Sequence, residues 1–345
     1  MSDTNTTPEP KGVADISDIL ANEEMTWVQR LLGSQAFLVF LALIVAGIAL
    51  SFGTDSFATG RNFFNITRNA TFIAIIAIGM TFVIITGGID LSVGSVMMLT
   101  MVICAKVMEL GYGIEIGVAA AIAVSLVVGL VNGVFIAYLG YPPFVVTLAM
   151  MSIARSLGMA ASQNRTISRF GPDHELLIAI GRPLDLGFIS VSIPVLITIL
   201  IAIIAGFVLN YTAYGKYVYA VGGSEKAATA TGVPTKQIKV SVYMVVALTA
   251  AICGIVRLSW AGAVSTNDGT ALELQVIAAT VIGGANLAGG AGTIFGALVG
   301  AGLLEMIRNS LPLIGIGANW QGTFIGTIIL AAITFERVKQ YRSRS

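Results

Sequence analysis

The chain has 345 residues, of which 56% are hydrophobic and 11% charged, and its mean hydropathy is +0.89. Soluble proteins carry roughly 25% charged residues, so this composition argues against a soluble enzyme and predicts one integral membrane domain. The net charge of +1 offers no basic field for nucleic acid. A single histidine, His174, and two cysteines in apolar runs, Cys104 and Cys253, indicate no metal site, no disulfide framework and no Ser-His-Asp triad.

Residues 1–34 form a polar segment that we expect to be a cytoplasmic tail. Residues 1–30 contain six acidic and two basic side chains, and they lack the basic-then-apolar order of a cleaved signal peptide. Such a composition is typical of a disordered extension. The sequence leaves the function of this tail open.

Ten apolar segments between residues 35 and 336 are long enough to cross a hydrocarbon layer of roughly 30 Å. The sequence therefore predicts an all-α polytopic membrane protein with about ten transmembrane helices, one of them broken near the GGIDLS turn. The expected helix cores are residues 36–53, 69–86, 91–110, 116–139, 143–160, 190–210, 238–259, 274–289, 292–309 and 320–336. Only a few glycine-rich residues separate the second span from the third and the eighth from the ninth, so each pair could also be one broken span.

The basic residues orient these spans. An even number of spans places both chain ends on one side of the membrane, together with the loop at about residues 211–238. That loop and the C-terminal tail, residues 337–345, hold Lys216, Lys226, Lys236, Arg337, Lys339, Arg342 and Arg344. By the positive-inside rule we expect this face to be cytoplasmic. Three arginines in the loop at residues 161–189 lie on the opposite face, so they are partial exceptions to this rule.

Glycines recur at four-residue spacing in several spans, a pattern that lets membrane helices pack closely against one another. These glycines are Gly129 and Gly133, then Gly292, Gly296 and Gly300, and then Gly322 and Gly326.

The segment from Gly87 to Gly94 lies between the second and third spans without a real loop. Gly87 and Gly88 permit backbone angles that end a helix, and Asp90 or Ser92 can accept hydrogen bonds from the N–H groups that begin the next one. Irregular backbone at membrane depth is tolerated only where protein or a water-filled cavity covers it. The segment therefore predicts part of the translocation path or its gate. A capped turn at the cytoplasmic surface is the alternative.

The loop at residues 211–238 predicts a short cytoplasmic helix. Ser224 suits the N-cap and Glu225 the first turn, while Gly232 suits the residue after the last turn and Pro234 prevents continuation. An alanine-rich surface flanked by lysines fits a groove on a soluble partner. An ordinary connecting helix lying on the membrane is the alternative. The expected docking residues are Ser224, Glu225, Lys226, Ala227, Ala228, Thr231 and Gly232.

The remaining candidates are intramembrane polar groups and a glycine-rich run at residues 283–293. This run lacks the strand, spacing and acid of a dinucleotide fingerprint, and the chain has no G-x-x-x-x-G-K-[ST] motif, so energy for pumping must come from elsewhere. Glu305 and Arg308 are three residues apart and predict a structural ion pair near the outer surface. Asn132 is a further candidate pore residue, and Asp90 is the strongest candidate for a coupling-ion site.

Three segments resemble the permease subunits of bacterial ATP-binding-cassette importers of the ribose, xylose, arabinose and galactose type. In chain order they read GGIDLSVG, AYGKYVYAVGGSEKAATATGV and ELQVIAATVIGGANLAGGAGTIFGALVGA. The resemblance covers about residues 36–336. It implies a pore of two copies, or one copy and a paralogue, a cytoplasmic ATPase and a periplasmic solute-binding protein. It also implies that residues 225–232 are the coupling helix and that residues 87–94 line the inner half of the pore; the role of Asp90 stays open.

We therefore expect a membrane permease that moves a monosaccharide or related polyol across the bacterial inner membrane and catalyses no reaction itself. It binds no cofactor in this interpretation, and a partner ATPase uses ATP and Mg. Arg165, Arg169 and Arg182 are expected to pair with acidic rims of the binding protein. An ion-coupled secondary transporter of small polar solutes is the alternative. The sugar and the identity of the second permease copy stay open.

Overall fold

The computed structural model describes residues 34–185 and 190–327, together with residues 330 and 334. The predicted N-terminal tail up to residue 33, the basic tail at residues 337–345 and most of the last predicted span beyond residue 327 lie outside the described residues.

The described chain is mostly helical. The helices are α1 (Gln35–Gly53), α2 (Gly60–Ile85), α3 (Val93–Glu109), α4 (Ile114–Ala137), α5 (Pro143–Ala161), α6 (His174–Gly181), α7 (Ile193–Tyr211), α8 (Ala213–Gly223), α9 (Glu225–Ala230), α10 (Thr235–Ala261), α11 (Leu272–Ile282) and α12 (Ile294–Leu313). The strands β1 (Pro183–Asp185) and β2 (Ser190–Ser192) form an antiparallel pair. A 3-10 helix at Ala318–Trp320 leads into helical residues 321–327.

Seven helices in the described part of the chain, α1, α2, α4, α5, α7, α10 and α12, are long and apolar enough to cross a membrane. The 17 residues of α3 rise about 25 Å, nearly as far. The prediction of an all-α polytopic membrane protein is confirmed.

The eighth predicted span is wrong in its length. Residues 274–289 were expected to cross the membrane, but α11 ends at Ile282 after 11 residues and rises only about 16 Å. Gly283 follows the last turn, and Gly284 adopts a φ of +99° that a continuing helix does not contain. The helix therefore crosses about half of the hydrocarbon layer.

Helix α2 is the centre of the bundle. Its side chains are buried without interruption from Thr71 to Ile85, whereas α1 has no buried residue. It packs against α10, α12, α11 and α7. Because the polar break follows α2 directly, the chain leaves this central helix at a point that other helices cover.

The long helix α10 runs between two ends of the molecule. At its start, Thr235 lies 3.2 Å from Thr229 of α9 through their hydroxyl oxygens. At its other end, the backbone of Ser259 and Trp260 packs against Gly181 of α6. We call these the α9 end and the α6 end.

The loop predicted at residues 161–189 contains regular structure at the α6 end. It includes α6 and strand β1, and Ile167 forms a two-residue antiparallel bridge with Val264. The Asp173 carboxylate accepts a hydrogen bond from the backbone N–H of Ile114 at 3.0 Å. These contacts hold the segment onto the ends of α4 and α10.

The predicted close packing of small residues is confirmed for two of the glycine sets. A Cβ on Gly133 of α4 would lie 2.6 Å from the Cα of Val240 on α10. Gly300 of α12 faces the backbone of Ala279 in α11 in the same way, and Gly296 faces that of Gly283, which follows α11. Gly322 and Gly326 have no such neighbour within 4 Å among the described residues.

Residues 262–271, which we call the re-entrant loop, turn from the end of α10 back into the bundle. Arg155 of α5 donates from Nη1 to the carbonyls of Thr266 and Asp268, at 2.9 Å and 2.7 Å. The backbone of Gly269 touches that of Gly94 at the start of α3, leaving no room for a side chain on either. The loop therefore carries the chain from the α6 end into the interior, where α11 begins.

Candidate functional site: a helix break joined to a short terminal helix

The break after α2 is formed by the two glycines that the sequence singles out. Gly87 has a φ of +78°, and the N–H of Gly88 bonds to the carbonyl of Val83 at 3.0 Å, which closes the last helical turn. Gly88 lies against Tyr243 of α10, since a Cβ there would be 2.5 Å from the Tyr243 hydroxyl oxygen. One glycine thus supplies the backbone angle and the other the close approach.

Three predicted pore residues form one hydrogen-bonded network. The Oδ1 atom of Asp90 accepts hydrogen bonds from the backbone N–H of Ser92 at 2.7 Å and from its hydroxyl at 2.6 Å. Asn132 of α4 donates from Nδ2 to the same hydroxyl at 3.2 Å. The Ser92 side chain makes no cap hydrogen bond of its own, so Asp90 holds the start of α3.

This network is buried in the bundle. Asp90 and Ser92 are each 1% exposed and Asn132 is 0% exposed. The carbonyl of Ile89 also lies 3.5 Å from the Thr147 hydroxyl of α5. The turn is therefore covered by protein, as irregular backbone at membrane depth requires. Its assignment to the pore stays a prediction.

The short helix expected in the loop at residues 211–238 is α9, and its local signals act as predicted. The Ser224 hydroxyl accepts a hydrogen bond from the backbone N–H of Ala227 at 3.3 Å. Gly232 adopts a φ of +87°, and its N–H bonds to the carbonyl of Thr229 at 3.0 Å. Pro234 then immediately precedes α10.

Helix α9 presents most of the expected docking residues to its surroundings. Ser224, Glu225, Lys226, Ala227, Thr231 and Gly232 are exposed. The prediction that Ala228 is a docking residue needs correction, because its side chain is only 4% exposed and faces the rest of the chain. The Glu225 carboxylate pairs with Lys239 of α10 at 2.6 Å and holds the helix against α10. A helix lying on a surface necessarily turns one face inward, and Ala228 occupies that face.

A contact that sequence reasoning missed links α9 to the break. Gly222, near the end of α8, fits directly between the carbonyl of Ile85 and the N–H of Gly290, so that a Cβ would overlap the Ile85 carbonyl. Gly290 donates to that carbonyl at 2.8 Å, and a Cβ on Gly289 would lie 3.2 Å from the nitrogen of Gly87. We call this contact of three glycine-rich segments the glycine junction. Its signal in the sequence is the recurrence of glycine pairs at 87–88, 222–223 and 289–290.

Tyr219 of α8 reinforces the glycine junction. Its hydroxyl donates to the carbonyl of Gly292 at 2.7 Å. Burial raises the pKa of the Tyr219 hydroxyl, so the proton that makes this bond is retained. Helix α8 is thereby tied both to the end of α2 and to the loop between α11 and α12.

The three arginines predicted to bind an acidic partner all lie at the α6 end and are exposed. Arg165 is 3.5 Å from Glu109 at the end of α3, and Arg182 is 3.0 Å from Glu175 of α6. Part of the positive charge expected from Arg165, Arg169 and Arg182 is therefore balanced within the chain. The sequence could not show this for Arg165, because Glu109 belongs to a distant segment.

The predicted ion pair of Glu305 and Arg308 is present, with 3.3 Å between Oε2 and Nη1. Arg308 also donates from Nη1 to Gln275 of α11 at 3.0 Å. Glu305 is only 4% exposed, whereas the Arg308 side chain is 35% exposed, so the pair is partly buried, and its position near the outer surface stays a prediction.

Comparison with known proteins agrees with this architecture. A family described as "Branched-chain amino acid transport system / permease component" matches residues 62–333. The ribose import permease of Escherichia coli is 36% identical over 303 residues, which are 87% of this chain and 93% of that protein. The L-arabinose transporter permease of Azospirillum brasilense is 32% identical, over 89% of this chain and 88% of the relative. The fructose import permease of Rhizobium meliloti is 31% identical over 98% of both chains.

No solved structure matches the chain. The family match covers most of the described bundle, including the helix break, α9 and the glycine junction. The chain is therefore a multi-pass membrane protein that belongs to this family of transport-system permeases.

Proposed function

We propose that this chain is the membrane permease of an ATP-binding-cassette importer that moves a monosaccharide or related polyol across the bacterial inner membrane. The relatives named for ribose, L-arabinose and fructose support the substrate class. The observation that carries the proposal is that Gly222 packs directly between the carbonyl of Ile85 and the backbone nitrogen of Gly290. Gly222 belongs to α8, which ends one residue before α9, so α8 joins a short exposed helix, suited to a soluble partner, to the end of the central helix.

The complete transporter needs further subunits in this proposal. A cytoplasmic ATPase binds ATP and Mg and docks on α9 through its exposed residues. A periplasmic solute-binding protein delivers the sugar to the α6 end, where Arg165, Arg169 and Arg182 lie. A second copy of the permease, or a paralogue, completes the pore within the lipid bilayer. The chain itself binds no cofactor, no metal and no nucleic acid.

The α9 end faces the cytoplasm in this arrangement, and so do both chain ends. The exposed residues Lys226 and Lys236, and the basic segment at residues 337–345, support this orientation through the positive-inside rule. The α6 end, with its balanced ion pairs, then faces the periplasm.

Transport follows from motion at the glycine junction. ATP closes the ATPase modules and moves α9, and the backbone contacts of Gly222 pass that movement to the end of α2 and to the loop between α11 and α12. Because no side chain separates these backbones, little of the displacement is absorbed by rotamer changes. The segment of Gly87, Gly88, Asp90 and Ser92, with Asn132, then opens or closes the inner half of the pore. Each partner must bind one membrane conformation better than the other.

The test is uptake by the whole complex in proteoliposomes that contain the permease, its ATPase and its binding protein. We expect ribose, arabinose or fructose uptake that requires ATP and the binding protein and survives collapse of the proton and sodium gradients. Uptake that stops when ionophores collapse these gradients at constant ATP supports the ion-coupled alternative and overturns the proposal. Uptake of leucine without uptake of any sugar overturns the substrate class alone.

The docking of α9 has its own test at Gly232. The φ of +87° strains any β-branched residue, by roughly 1–2 kcal/mol, although no atom of the described residues lies within 4 Å of a Cβ built there. Gly232→Val should therefore distort the end of α9 and uncouple ATP hydrolysis from uptake. Gly232→Asn is the matched control, because asparagine tolerates left-handed backbone, and it should retain coupling. Equal coupling in both variants would count against α9 as the docking element.

A further inference from the structure

A polar cavity of about 300 Å³ lies near the α6 end, between α2, α3, α10, α11, α12 and the re-entrant loop. Its polar lining includes Asn69, Arg257, Asp268, Gln275, Glu305 and Arg308, and Asn267 and Thr270 of the re-entrant loop complete it. Asn69 precedes Ile85 by 16 residues of α2, so the cavity is about 24 Å from the glycine junction. It is thus a second polar site in the bundle, separate from the break.

The charges of this cavity balance one another. Arg257 pairs with Asp268 through Nε and Oδ1 at 3.2 Å. Arg308 pairs with Glu305 at 3.3 Å. An anion or cation entering the cavity would compete with one of these pairs, whereas a neutral molecule would not. The lining therefore favours a polar ligand without net charge.

The chemistry of the lining suits a polyhydroxylated molecule. Guanidinium, carboxylate and amide groups are planar and present donors or acceptors side by side, which matches neighbouring hydroxyls on a sugar ring. Arg257 contributes only its Nε to the Asp268 pair, so its other N–H groups can bind a hydroxyl. Phe72 and Trp260 also line the cavity, and the Arg257 guanidinium lies over both rings, 5.3 Å and 6.0 Å from their centroids. The volume lies at the small end of the roughly 300–1,000 Å³ of small-molecule sites.

The re-entrant loop closes the cavity towards the break. Asp268 is held by Arg257, and its Oδ2 accepts the N–H of Ser265 at 2.7 Å. Arg155 holds the loop carbonyls from α5, and Gly269 packs on Gly94 just beyond the Asp90 network. The re-entrant loop and the first turn of α3 therefore lie between the cavity and the Asp90 network.

We propose that this cavity is a transient binding site for the transported monosaccharide, upstream of the helix break on the translocation path. The inference rests on the proposed function for the identity of the cargo as a sugar. A site on such a path must bind weakly enough to release its ligand, so we expect a dissociation constant in roughly the millimolar range.

Direct binding is the first test and needs no ATPase. The full-length permease in lipid nanodiscs, with Trp27→Phe and Trp320→Phe, leaves Trp260 as the fluorophore in the cavity wall. Titration with D-ribose, L-arabinose and D-fructose should give a saturable change for at least one sugar. A signal that stays linear to about 0.1 M, far above the millimolar range, for all three sugars overturns the site.

Matched variants distinguish the loss of a hydrogen bond in the cavity from effects that any glutamine or asparagine substitution could have on sugar binding. In the same background, Gln275→Ala and Asn69→Ala should weaken binding about tenfold, the loss expected for one hydrogen bond in such a site. Gln237→Ala and Asn210→Ala make the same changes at exposed positions outside the cavity and should bind like the parent. Equal affinity in all four variants overturns the assignment.

Transport distinguishes this inference from the proposed function. In the reconstituted complex, Gln275→Ala should lower the maximal uptake rate about tenfold, while binding-protein-stimulated ATP hydrolysis stays within about twofold of wild type. If Gln275→Ala leaves uptake unchanged, the proposal that the cavity is part of the translocation path is overturned. Failure of the proposed function would appear instead as absence of ATP-driven sugar uptake by the wild-type complex.

Discussion

Among the described residues no arginine or lysine is bonded to the buried Asp90, so this side chain needs a structural reason to persist in a membrane protein. At Asp90 the reason is local, because one carboxylate oxygen accepts both the N–H and the hydroxyl of Ser92, two residues later. The first turn of α3 thus starts with its donors satisfied. Asn132 extends the network from α4, so the turn is attached to a second helix.

This geometry predicts that Asp90 acts as a hydrogen-bond acceptor and not through its charge. Asp90→Asn retains a side-chain oxygen at the same position and should keep most of the uptake in proteoliposomes. Asp90→Ala leaves the Ser92 groups without their acceptor and should destabilise the fold by about 1–3 kcal/mol, with loss of uptake. Thermal unfolding of the purified permease and uptake are measured together. Strong loss in Asp90→Asn with normal stability would show that the negative charge itself is required.

At the scale of elements, the glycine junction brings three segments together that lie far apart in the chain. Each contributes a glycine pair, and the contact is backbone on backbone around the Ile85 carbonyl. Such contacts transmit small displacements because packed backbone has no free space to absorb them. Helix α9 follows Gly223 after one residue, which puts the proposed docking surface immediately beside the junction.

Neighbouring glycines at the end of α8 provide a matched pair of variants for this idea. Gly222→Ala places a methyl group against the Ile85 carbonyl and must push α8 away from α2, whereas Gly223→Ala points into open space. Overpacking of this kind typically costs 1–3 kcal/mol. We expect Gly222→Ala to lose sugar uptake at least tenfold while ATP hydrolysis continues, and Gly223→Ala to behave like wild type. Equal uptake in the two variants would remove the junction from the coupling path.

At the scale of the whole molecule, the polar features separate into two ends and an interior. The α6 end carries ion pairs and a strand pair, with the polar cavity beside it, the α9 end carries the short helix and the glycine junction, and the Asp90 network is buried in the interior. Long apolar helices connect the ends, and α1 has no buried side chain. A membrane around the middle accounts for both the exposed apolar surface and the position of the charges.

This arrangement predicts opposite accessibility of the two ends. Cys104 and Cys253 are free but fully buried, so the native chain should react little with a membrane-impermeant maleimide. In cells with a permeabilised outer membrane, Arg182→Cys should be labelled at once. Lys226→Cys should be labelled only after the inner membrane is opened. Labelling of both positions from the same side would contradict the proposed orientation.

The amino-acid sequence by itself determined the membrane class, the break at Gly87 and Gly88, and the short helix between Ser224 and Gly232. These features depend on composition or on a few adjacent residues whose backbone preferences act locally. Tertiary structure alone decided that Gly222 meets Ile85 and Gly290, that Asn132 joins Asp90, that Ala228 faces inward and that Glu109 balances Arg165. Most of these contacts join segments tens of residues or more apart, and their geometry depends on how whole helices pack, which no local pattern encodes.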